Sequence, residues 1–201
     1  MNLIALTQIV FIFILPVLLL YTGIIPVKYR FLVLVLASLV IFAITIQEHW
    51  TPAKLGIRAD NFVKSIIPYL IFTILGVLVI YFFAKFLGRS PVNEWWTKSH
   101  FVYIFIPISI FQEFAFRAFL MPKLESLFLS AITLILVNAL LFAFLHIIYP
   151  HPSLNLPFGF IAGVGFATMY YFYPNLILIS ISHSVLNFFA VFYSFFSFNK
   201  L

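Results

Sequence analysis

The sequence has no cysteine, and only 8% of its residues are charged. The first absence excludes a disulfide framework, a thiolate zinc site, an iron–sulfur centre and a cysteine nucleophile. The second excludes a water-soluble globular domain, in which roughly a quarter of residues carry charge. Acidic side chains are the scarcest, 5 Asp and Glu against 11 Lys and Arg in 201 residues. A soluble fold of this length covers itself with polar side chains, and there are too few here to do so. Apolar residues fill the chain instead: 65% are hydrophobic, Phe alone occurs 28 times, and the mean hydropathy is +1.19. A surface that faces lipid needs no charge. The composition therefore predicts an all-α, multi-pass integral membrane protein, a single domain over residues 1–201.

The net charge of +6 is not a nucleic-acid footprint, and no nucleic-acid partner is expected. Lys28, Arg30, Lys54, Arg58, Lys64, Lys85, Arg89, Lys98, Lys123 and Lys200 are scattered over the connecting segments and span ends. Charges at a bilayer surface are distributed in this way, because anionic headgroups attract them. Only Arg117 lies deep inside an apolar run.

A helical span needs about 20 mostly apolar residues. About seven are expected: Leu3–Gly23, Phe31–Ile46, Phe62–Phe86, His100–Leu120, Leu127–Ile148, Pro157–Tyr173, and a last one after Pro174 to about Phe198. The first has no basic leader and no small-residue cleavage site, so it reads as a retained span. Gln47–Asn61, with Trp50, Leu55 and Ile57 among its charges, reads as an interfacial segment dipping into the headgroups. Trp95 and Trp96 fit an aromatic belt. His49, His100 and His151 lie in or beside loops and read as interface residues.

Ionisable groups inside a bilayer are costly and usually face a cavity. Span four holds Gln112, Glu113 and Arg117, the last two spaced to share a helix face and pair. Alone, such a pair is as well explained by structural glue between helices. Pro107 is expected to bend this helix and free a carbonyl. Span five holds Asn138, read as helix–helix glue, and His146, which alone reads as a core histidine bonded to a carbonyl. In span seven Ser180, Ser182 and Ser184 can bond back to the preceding turn, whereas His183 and Asn187 share a face. Three helices each presenting polar groups to one pocket point to an active site.

These segments, in this order, resemble the CAAX-prenyl endopeptidase and bacteriocin-processing family of intramembrane proteases, also called the abortive-infection family. Its first motif, two glutamates, three residues and arginine, corresponds to Gln112-Glu113-Phe114-Ala115-Phe116-Arg117. Its second, Phe, three residues and His, corresponds to Phe142 through His146; its third, His, three residues and Asn or Asp, to His183 through Asn187. The glycine-bearing stretch Gly159 to Tyr170 and Lys54-Leu55-Gly56-Ile57-Arg58 are also similar. The resemblance is specific over a family-like core of about residues 104–187. It implies a helical bundle with an intramembrane cavity open sideways to lipid, and a membrane-associated peptide or protein as substrate. It also implies that the first glutamate and His146 activate water, that His183 and Asn187 stabilise the oxyanion, and that Arg117 and the second glutamate orient the others.

The departure is Gln112, which stands where the family has its first glutamate and cannot take a proton from water. Three accounts follow. Glu113 is the base and Gln112 positions the water; His146 is itself the base; or the chain is a pseudo-protease that binds a membrane partner in an immunity or chaperone-like role. No cofactor is expected. A zinc ion on Glu113, His146 and His183 is the metal alternative, though without the paired histidines of helical zinc sites. A proton-coupled transporter is a further alternative, but no internal repeat accompanies it.

Overall fold

In lipid the backbone must satisfy its own N–H and C=O groups, and a long apolar run does so as helix. The computed structural model describes residues 2–97, 105–128 and 130–195, and all regular structure among them is helical. We label the helices α1, Leu3–Tyr21; α2, Arg30–Gln47; α3, Phe62–Phe86; and α4, 105–125. There follow α5, Ala131–Phe144, extended by the 3-10 turn Leu145–Ile148; α6, Pro152–Phe172; and α7, Leu176–Phe192. Among the described residues four stretches are long and apolar enough to cross a membrane: Leu3–Tyr21, Val27–Gln47, Phe62–Phe86 and Ala131–Ile148. Their outward faces are apolar, with Ile67, Val79 and Phe82 at least 60% exposed on α3. An uncovered apolar surface of this kind suits lipid rather than water.

Several boundaries differ from the sequence reading, each for a local reason. The sixth helix starts at Pro152 rather than Pro157, because proline is well placed in a first turn where no N–H bond is needed. Pro157 then lies inside the helix. The fourth continues past Leu120 to Glu125 through a π-helical turn, Phe114–Leu120. The fifth begins at Ala131 rather than Leu127. The turn before Pro107, where its distortion is expected, lies outside the described residues; among the described ones α4 departs from α geometry at the π turn Phe114–Leu120. His100, Lys98, Lys200 and the expected end at Phe198 lie outside the described residues.

The segment between α2 and α3, most of it exposed, is clasped to the bundle at a few points. Trp50 stacks on Phe119 of α4 with centroids 5.5 Å apart, and Leu55 is buried. Gly56 has φ +72°, and a Cβ there would strike the Tyr170 hydroxyl. Its carbonyl accepts the Leu176 N–H at 2.8 Å. The Asn175 amide donates to the Arg58 carbonyl at 3.0 Å and to Asn61 Oδ1 at 2.9 Å, while Asn61 donates to the Pro174 carbonyl at 2.9 Å. These bonds fasten the start of α7, the helix that carries His183.

A second fastening joins α1, α2 and α4. Glu48 accepts from Lys123 Nζ at 2.6 Å on each oxygen, from Gln8 at 3.1 Å and from the Trp50 indole at 3.0 Å. Partial burial works against its ionisation, but these donors outweigh it and hold the carboxyl below its usual value.

Candidate active site

The site is built from α4, α5, α6 and α7. On α4 the spacing of Glu113 and Arg117 puts both on one face, and both are fully buried. Arg117 Nε stands 3.3 Å from Glu113 Oε2, an ion pair by distance whose angle does not make a hydrogen bond. The other carboxylate oxygen, Oε1, lies 2.6 Å from His183 Nδ1 on α7. A charge out of water needs compensation, and Arg117 finds it in two further ways. Its Nη2 donates to the Gly163 carbonyl at 3.4 Å, and its guanidinium lies over the Phe142 and Phe166 rings at 4.6 and 5.4 Å.

The π turn around Arg117 is tied to α5 by Asn138, whose amide donates to the Phe116 carbonyl at 2.7 Å. Such turns interrupt the α ladder and are frequent at functional sites. One helical turn after Phe142, the Nδ1 of His146 lies 2.9 Å from the Phe142 carbonyl oxygen. A carbonyl only accepts, so this contact sets the proton on Nδ1 and makes Nε2 the basic nitrogen. Gly159 of α6 lets the ring sit there: a Cβ at that position would come within 2.9 Å of Nδ1 and 3.2 Å of Cγ. On α7, Asn187 is one turn beyond His183 and donates through Nδ2 to Ser109 Oγ of α4 at 3.1 Å.

His146, His183 and Asn187 line one cavity of about 490 Å³. Its remaining wall is largely apolar and comes from α3, α6 and α7, with Phe72, Val79, Phe158 and Leu186 among the lining residues. Glu113 and Arg117 stand behind this lining, reaching the cavity through His183. Gln112 is not brought to the cavity. It lines a separate, smaller cleft between α1, α2 and α4. Among the described residues no three His, Cys, Asp or Glu side chains are grouped to hold a metal ion. The arrangement provides a basic imidazole nitrogen, a second imidazole backed by a carboxylate, and an amide donor, all lining one cavity.

Sequence reasoning singled out Gly159 only as part of a family-like stretch, and did not find its close approach to His146, Ser109 or the aromatic faces around Arg117. A glycine and a serine carry no signal alone, and the aromatics are lost among the many phenylalanines.

Residues 94–189 match the family model described as Type II CAAX prenyl endopeptidase Rce1-like, the stretch that holds all three motifs. Neither the comparison with curated proteins nor that with solved structures gives a match.

Proposed function

We propose that this chain, whose residues 94–189 match the Rce1-like type II CAAX prenyl endopeptidase model, hydrolyses a peptide bond of a membrane-associated peptide or protein. The observation that carries the proposal is the grouping of His146, His183 and Asn187 on one cavity, with Glu113 at 2.6 Å behind His183. In this reading about seven helical segments cross the bilayer and the cavity lies within it. The substrate enters from lipid along the apolar wall between α3 and α6.

His146 is the base. Its Nε2 takes a proton from water as the water oxygen attacks the scissile carbonyl carbon. The carbonyl oxygen, now negative, is met by Nε2–H of His183 and by an Nδ2–H of Asn187. Glu113 offsets the charge His183 carries as that donor, and Arg117 keeps the carboxylate in place. As the C–N bond breaks, the proton on His146 passes to the leaving amine, and the water oxygen remains in the new carboxylate. Removing one oxyanion donor from such a site costs about 10²–10³ in rate, and a positioned base contributes roughly 10²–10⁴. Gln112 takes no part in these transfers, so its amide does not prevent catalysis.

Purified protein in lipid vesicles, offered membrane-inserted peptides and read by mass spectrometry, tests the proposal. Cleavage that His146→Ala and His183→Ala each abolish supports it. Absence of cleavage with retained peptide binding favours the pseudo-protease, whose specific support is Gln112 at the family's first glutamate position.

A further inference from the structure

We propose that the cleft between α1, α2 and α4 binds one anionic phospholipid, its phosphate on Arg30, its ester region on Gln112 and an acyl chain along α1. The proposal is independent of the peptidase reading, and its test measures binding rather than cleavage.

The cleft is narrow, about 80 Å³, and runs beside α2 from Arg30 to Ala37. Seven residues of helix rise about 10 Å, which takes it from the membrane surface to the depth of lipid esters and upper acyl chain. Its wall is apolar, with Phe13, Val17 and Leu34 among the lining residues. Three polar residues interrupt that wall, Gln112 and the hydrogen-bonded pair Arg30 and Tyr149.

At the outer end is Arg30, the first residue of α2, half-buried with its guanidinium 5.0 Å from the centroid of the Tyr149 ring. No ion pair among the described residues includes it. The first turn of α2 has no acidic residue, and Tyr29 gives its N-terminus no side-chain cap. Guanidinium and helix N-terminus together favour a phosphate. At the inner end is Gln112, only 7% exposed and making no hydrogen bond among the described residues. An amide kept from protein partners favours a polar group that reaches it, and here it opens onto the cleft.

A phospholipid meets all three features at once: phosphate oxygens for Arg30, an ester carbonyl for the Gln112 N–H, and hydrocarbon for the wall. Free phosphate satisfies only the first. The Tyr149 ring also stands 5.8 Å from that of His146, so an occupied cleft braces the wall behind the histidine.

The test is native mass spectrometry of the full chain, released from mixed micelles holding phosphatidylglycerol and phosphatidylcholine with the same acyl chains. At least tenfold preferential retention of phosphatidylglycerol is expected. Arg30→Gln should cut that preference at least fivefold. Lys28→Gln, outside the cleft, should change it less than twofold, and Gln112→Leu should weaken retention of both lipids. Should Arg30→Gln fail to fold, Arg30→Lys and thermal stabilisation of the parent by each lipid give the same comparison. Equal retention of the two lipids, a preference that survives Arg30→Gln, or displacement of lipid by millimolar inorganic phosphate each overturns the proposal.

Discussion

Glu113 Oε1 lies 2.6 Å from His183 Nδ1, and neither residue is more than 3% exposed. A carboxylate so placed fixes one nitrogen of the ring as a donor and leaves the other to face the cavity. In the proposed mechanism Glu113 accordingly acts through His183, and His146 is the base.

Substitution at the two adjacent positions of α4 should separate their roles. Glu113→Gln removes the charge behind His183 and is expected to lower kcat about a hundredfold with little change in KM. Gln112→Glu places a carboxylate in the other cleft and is expected to give no gain in cleavage. A clear gain would put Gln112 at the water instead.

Arg117→Ala leaves the fully buried Glu113 carboxylate with His183 alone and empties the space beside the three aromatic rings that flank the guanidinium. Breaking a buried pair from one side costs about 3–5 kcal/mol. Thermal unfolding in detergent should show a loss of that size.

Gly159→Ala drives a methyl group against the His146 ring, within 2.9 Å of Nδ1. The ring must turn, and its contact with the Phe142 carbonyl is lost. Overpacking of this kind costs about 1–3 kcal/mol, so folded protein should still be recovered. Cleavage should fall at least tenfold, and nitrogen NMR of labelled histidine should report a changed His146 tautomer.

The Glu48 cluster predicts a pH dependence of stability. Its carboxyl is held below its ordinary value of 4.5 in the folded protein. It therefore adds stability at pH above 4.5 that is lost as pH falls through the lowered value. Glu48→Gln should be less stable than the parent at pH 7, and the two should converge below pH 4.5. Unfolding measured across that range checks the sign.

Much of this was legible in the sequence because lipid restricts the choices. Scarce charge fixed the class, and the apolar run Phe62–Phe86 is helical over that whole range. The four-residue spacing of Glu113 with Arg117, and of His183 with Asn187, already put each pair on one face. The division between Gln112 and Glu113 was harder to read. Adjacent helix residues point about 100° apart, but which of them meets His183 depends on how α4 packs. The start of α6 was missed because Pro152 and Pro157 are equally plausible first-turn prolines until the chain is folded. The clasp at Gly56 was missed because its partners, Tyr170 and Leu176, lie more than a hundred residues away.

The most direct test of the central claim is hydrolysis of a membrane-inserted peptide in water enriched in oxygen-18. The account predicts that the new carboxyl terminus carries one heavy oxygen after a single turnover, and that His146→Ala suppresses product at least a hundredfold. Cleavage that persists undiminished in His146→Ala, or a product without the heavy oxygen, would contradict it.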